Sequence, residues 1–173
     1  MEFYENDKVI VNPLRIKQPV VAELENNLLL YYTGTSRLSS LIIEAQSKNI
    51  AGKKDSSLDA MFQLKEQARQ MKEAILKGRL SEMGHILDFG WQHKKRTADG
   101  ISNPLIDKIY TEAIAAGATG GKISGAGGGG YMFFYCPANT RFTVSESIQQ
   151  FGGQVKKIAF SLEGLTTWTY TEK

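Results

Sequence analysis

The chain has 173 residues, 42% of them apolar and 23% charged, and its 21 basic and 18 acidic side chains leave a net charge of +3. That length and balance describe one compact domain rather than a disordered chain, and so small an excess, with no Lys/Arg stripe interleaved with aromatics, excludes a nucleic-acid binder. The longest apolar run, Tyr131 to Cys136, is far short of the roughly 20 residues of a spanning helix, so no membrane partner is expected.

Cys136 is the single cysteine. It excludes an internal disulfide framework or a multi-cysteine zinc site, and predicts a reducing, cytoplasmic setting. His85 and His93, with no further His or Cys, make no metal site. The first residues, Met1 to Asp7, lack the basic and apolar regions of a secretory leader and read as strand and turn. A chain that starts inside an element is expected to be a piece of something longer.

In chain order, Phe3–Glu5 and Lys8–Val11 flank Asn6-Asp7, which predicts a hairpin with a two-residue turn. Val20 to Asn26 predicts a short helix, and the continuous apolar run Leu28–Tyr32 a buried strand. Thr33-Gly34-Thr35-Ser36 breaks that strand and offers hydroxyls to cap a helix from Arg37 to Lys48. Asp55-Ser56-Ser57 supplies caps for a long helix whose apolar residues are Leu58, Met61, Phe62, Ala68, Met71 and Ile75, with Gly78 past its end. A second helix from Ser81 carries Met83, Leu87 and Trp91, an antiparallel pair with the first. Pro104 opens another helix, which Gly117 stops. Then come the strand Tyr131–Cys136, a helix from Pro137 to Gly152-Gly153, and two strands, Gln154–Phe160 and Leu165–Tyr170. Strands, then helices, then strands predict an α+β fold, with an antiparallel sheet covered by helices on one face.

The segment Gly121-Lys122-Ile123-Ser124-Gly125-Ala126-Gly127-Gly128-Gly129-Gly130 carries the chemistry. Gly125, Gly127 and Gly130 satisfy G-x-G-x-x-G, but a dinucleotide fingerprint must open a helix, and here a strand follows. A P-loop fails too, because Ile123 stands where Ser/Thr is required after Lys122. A tight hairpin needs fewer glycines than this, and each costs conformational entropy. Backbone amides without side chains make an anion nest, with Lys122 and Ser124 at its edge. Phosphate, or a phosphorylated ligand, is the expected partner.

That segment resembles the third conserved motif of the GHMP small-molecule kinases. Leu28 to Arg37, Trp91-Gln92-His93-Lys94-Lys95 and Ile101 to Asp107 fall in the order and spacing of the family's sugar-kinase branch, so the likeness covers nearly the whole chain. The resemblance implies a ferredoxin-like C-terminal domain over residues 1–173, with the N-terminal ATP-loop domain outside this chain. It implies ATP and Mg²⁺ as cofactors, and a heptose 7-phosphate as acceptor, phosphorylated on its anomeric hydroxyl. No catalytic residue is expected here; the catalytic Asp belongs to the N-terminal part, and neither Asp88 nor Asp107 matches it.

By the same resemblance Lys122, Ser124, Gly125, Ala126, Gly127, Gly128, Gly129 and Gly130 form the ATP/phosphate loop. It is expected to lie at the sheet edge with its amides outward and unpaired, so that valine at Gly127 or Gly128 harms turnover more than stability. Thr33, Gly34, Ser36, Arg37, Trp91, Lys94, Lys95 and Ser102 are candidates for binding the phosphorylated sugar. Each has a plainer reading: hydroxyls as helix caps, Trp91 as core, lysines as solvated charge. Another GHMP kinase, for fucose or galactose, and a non-catalytic phospho-ligand-binding module remain alternatives.

Overall fold

The computed structural model describes residues 1–35, 39–161 and 163–171. The chain opens with the hairpin of β1 (Glu2–Phe3) and β2 (Val9–Ile10). Glu2 pairs with Ile10 and Phe3 with Val9, and Tyr4 N donates to Lys8 O at 3.0 Å. The turn is therefore Glu5-Asn6-Asp7, one residue longer than expected, with Asp7 at a φ of 59°. An αL residue closing a three-residue loop is a standard alternative to the two-residue turn.

Helix α1 (Gln18–Asn27) carries Pro19 in its first turn and runs directly into β3 (Leu28–Tyr32). Helices α2 (Ser39–Ala51), α3 (Asp55–Leu76), α4 (Met83–Lys95) and α5 (Pro104–Ala115) follow, and a 3-10 turn at Leu80–Glu82 joins α3 to α4. The predicted start of α2 at Arg37 lies outside the described residues. Strands β4 (Gly120–Ile123) and β5 (Tyr131–Tyr135), helix α6 (Arg141–Gln149) and strand β6 (Gln154–Lys156) complete the order. The sheet runs β4-β5-β3-β6, every pair antiparallel. The α+β expectation holds.

Alternation along the strands sorts the core. Leu29, Tyr31, Ile123, Met132 and Phe134 face α5 and α6, packing with Ile106, Ile109, Ala113, Val144 and Ile148. The other face is covered at one end, where Leu28, Phe133 and Tyr135 meet Val20 and Leu24 of α1 and Met71, Ala74 and Ile75 of α3. No helix of the described residues is long and apolar enough to cross a membrane.

Three local expectations change. The buried residues of α3 are Ser57, Ala60, Gln67 and Ala74, while Met61 and Phe62 are 41% and 69% exposed. Small residues win this face because α4 comes close: Gln67 Nε2 donates to Ile86 O at 3.0 Å, and a Cβ on Gly90 would lie 2.0 Å from the Gln67 side chain. The helix predicted from Pro137 begins only at Arg141, since Ala138 and Asn139 have φ of 52° and 64°, which a helix does not accept. At the C-terminal end only Gln154–Lys156 pairs; the predicted strand Leu165–Tyr170 is unpaired, with Leu165, Trp168 and Tyr170 at least 80% exposed.

One contact sets the position of the site. A Cβ on Gly120 of β4 would sit 1.8 Å from Gly84 O of α4. Backbone thus lies on backbone, and α4 is carried along the edge of the sheet to bring its last turn beside the loop after β4.

Candidate functional site

The glycine-rich loop joins β4 to β5, and Ser124 N donates to Tyr131 O at 2.7 Å to close its neck. Gly125, Gly127, Gly128, Gly129 and Gly130 all have positive φ, a path only glycine follows without strain. Contrary to expectation the loop is not free at the edge: Gly127, Gly128 and Gly129 are buried. Gly128 N donates to Ile101 O at 2.8 Å and Gly130 N to Thr35 O at 2.7 Å. Asn103 Nδ2 donates to Gly128 O at 3.3 Å. A Cβ on Gly127 would lie 2.8 Å from the Ile101 backbone, and one on Gly129 2.7 Å from Thr35 O. The amides of Gly125, Ala126, Gly127 and Gly129 have no acceptor among the described residues. Two of the six amides from Gly125 to Gly130 tie the loop down; of the other four, those of Gly125 and Ala126 belong to the exposed mouth, while Gly127 and Gly129 are buried.

Thr33 is a fastener. It is 3% exposed; its N donates to Gly130 O at 2.9 Å and its hydroxyl to the same oxygen at 3.0 Å. Its side chain is spent on the loop, so the structure does not offer Thr33 to a ligand. Gly34, at a φ of 77°, is exposed beside it. Ser36 and Arg37 lie outside the described residues.

Trp91 is fully buried in the main core and cannot form an aromatic wall for a sugar. Its indole stacks at 6.2 Å from Tyr110. Lys95 lies 5.6 Å over the Trp91 ring and 4.0 Å from Asp107, whose Oδ1 accepts from Ser102 Oγ at 2.7 Å. Lys95 and Ser102 therefore meet on one carboxylate at the start of α5. Asn103 caps that helix, accepting from Leu105 N and Ile106 N at 3.0 Å. Its second contact, to the Gly128 carbonyl, was invisible in a sequence where Asn before Pro reads as a cap alone.

Lys94 turns the other way and donates to Gly125 O. Burial, with the nearby Lys122 charge second, pulls the Lys94 ammonium down to about 8. Burial lowers Lys122 as well, and Lys122 Nζ lies 6.0 Å from the Phe133 ring centroid. Neither lysine has a carboxylate partner among the described residues. Ser124 and Gly125 are exposed and Ala126 half-buried at the mouth. Cationic side chains and acceptor-free amides are the groups that an anion site requires.

Comparison with known proteins shows which family the chain is similar to. The family described as GHMP kinases C terminal matches residues 71–154. The D-glycero-alpha-D-manno-heptose 7-phosphate kinase of Campylobacter jejuni is 38% identical over 168 residues, 97% of this chain and 49% of that protein. The crystal structure of a putative sugar kinase from Campylobacter jejuni superposes with a TM-score of 0.69 at 36% identity, over 96% of this chain and 46% of its own. A D-glycero-D-manno-heptose 1-phosphate kinase from Bacteroides thetaiotaomicron gives 0.59 at 30% identity, over 90% and 39%. The chain thus spans about half the length of the Campylobacter heptose kinase that it resembles.

Proposed function

Because the chain belongs to the GHMP kinases, as their C-terminal domain, we propose that it is the C-terminal half of an ATP-dependent sugar kinase acting on the anomeric hydroxyl of a heptose 7-phosphate. The likeness to the Campylobacter heptose kinase over 97% of the chain carries the reading. The loop's chemistry supports it. The amides of Gly125, Ala126, Gly127 and Gly129 would donate to the oxygens of the phosphoryl group in transit, and preorganised donors of this kind stabilise the charge of that transition state.

Lys122 and Lys94 would add positive charge at the loop mouth, while Lys95 and Ser102, held by Asp107, would line the side from which the sugar enters. Ser124 and Gly34 would border the same opening. Thr33, Gly128 and Gly130 would keep the loop in register. The donor set of this chain is that of an anion site and fits the phosphates of ATP; Mg²⁺, when bound to them, supplies further neutralisation of their charge. The base that takes the sugar's proton would be an Asp of an N-terminal half, which also closes over ATP. The single thiol, Cys136, buried and free, fits a cytoplasmic enzyme.

The test compares this chain alone with a longer protein carrying it behind an N-terminal kinase half. The longer protein is expected to convert D-glycero-D-manno-heptose 7-phosphate and ATP to the 1,7-bisphosphate, seen by mass spectrometry, and the chain alone to give no turnover. Turnover by the chain alone, or a longer protein that accepts fucose or mevalonate and not the heptose phosphate, overturns the proposal.

A further inference from the structure

We propose that Lys94 and Lys122 together form a two-point clamp for a phosphate monoester, with the Gly125 carbonyl holding Lys94 in place. The inference rests on the sugar-kinase reading above and names the group of the ligand that docks at the loop mouth. Lys94 comes from the last turn of α4 and Lys122 from the edge strand β4, elements pressed together at Gly84 and Gly120. That packing brings the last turn of α4 beside the end of β4. Both residues are half-buried, and Lys94 Nζ reaches Gly125 O, three positions past Lys122, so the two side chains flank the same short stretch of chain.

Two ammonium groups drawn out of water toward each other are unfavourable unless an anion sits between them. The chain does not supply that anion among its described residues. Asp107 is engaged by Lys95 and Ser102, and Asp88 accepts from Tyr110 and Gln92. Elsewhere lysines find carboxylates readily, as Lys48 with Glu44 and Lys77 with Glu73 do. Lys94 instead donates to a carbonyl, which orients an ammonium without neutralising it.

A doubly charged phosphate monoester suits two cations and the nearby acceptor-free amides of Gly125 and Ala126. A neutral sugar hydroxyl would leave the repulsion in place. The phosphate has two sources in a sugar kinase, the ester that the acceptor already carries and the phosphate chain of ATP.

Inorganic phosphate is the first probe, titrated into this chain and followed by NMR of its lysine side chains. The Lys94 and Lys122 signals are expected to move together as phosphate is added, and Lys94→Met and Lys122→Met each to weaken binding about tenfold. Lys108→Met, which removes the same charge from the exposed face of α5, should leave binding unchanged. Lys94→Arg keeps the charge and should retain most of the binding, which guards against a Met variant that fails to fold.

In the longer kinase, a Lys122→Met effect on the KM of the sugar phosphate assigns the clamp to the acceptor; an effect on the KM of ATP assigns it to the donor. Either supports the clamp. Phosphate shifts that spare both lysines, or equal loss in the Lys108 variant, overturn it. Because phosphate binding is read without turnover, a clamp that binds phosphate in this chain while the longer protein phosphorylates no sugar would refute the kinase reading and leave the clamp standing.

Discussion

Gly127 shows how tightly a single residue is specified. Its φ of 127° excludes ordinary side chains, and a Cβ there would meet the Ile101 backbone at 2.8 Å, which cannot retreat as a flexible side chain would. Valine at this position is expected to destabilise the fold by about 2–4 kcal/mol, through backbone strain and overpacking together. This reverses the sequence-based expectation that turnover suffers first. Gly125, at a φ of 78° with open space around it, should lose only about 1–2 kcal/mol on change to alanine. Urea unfolding of Gly127→Val beside Gly125→Ala checks the order; equal midpoints would contradict the packing described.

At the scale of elements, the loop is held from two directions. Strand β3 is followed by Thr33, which ties down Gly130, and helix α5 is preceded by Asn103, which caps the helix and reaches Gly128 O. Loss of an Asn cap alone costs about 1 kcal/mol, and loss of the loop contact adds to it. Asn103→Ala is therefore expected to cost about 1–2 kcal/mol in stability. In the longer kinase it should also lower kcat more than it changes the KM for ATP, because the loop shifts without losing its charge. Asn103→Asp keeps the cap and forfeits the donor, so rescue of stability without rescue of kcat would separate the two roles.

For the molecule as a whole, the buried Cys136 gives a measurable pH dependence. It lies under the sheet, fully buried, and burial pushes its thiol from 9.0 up to about 12. In the unfolded chain the thiol ionises first, so the stability it contributes is complete below pH 9 and is lost as pH rises toward 12. At about pH 10.5 the loss from this group is about 2 kcal/mol. Cys136→Ala should be less stable at neutral pH but show a correspondingly smaller decline between about pH 8 and 10.5, followed by the urea midpoint. An identical decline in the variant would assign the alkaline loss to other groups, Tyr110 among them, whose hydroxyl burial and the Asp88 bond also hold protonated.

Local chemistry was legible in the sequence because it is decided by neighbours. The run Leu28–Tyr32, the Asn103-Pro104 helix start and the glycine stop at Gly117 all depend on residues within one turn of one another. The glycine run marked a special loop for the same reason, but the sequence did not show that Gly127 and Gly129 are required by packing on Ile101 and Thr35. What tertiary structure decided are the choices local pattern leaves equal. The face of α3 that turns inward is set by how near α4 lies, which favours Ser57 and Ala60 over Met61 and Phe62. Leu165–Tyr170 alternates like a strand but pairs with nothing among the described residues. Burial of Gly127–Gly129 depends on Ile101, Thr33 and Thr35, and Thr33 is 97 positions from Gly130. The approach of α4 to β4 depends on two glycines, 84 and 120, that let a helix rest on a strand. Periodicity reports which residues share a face; only packing reports what that face meets.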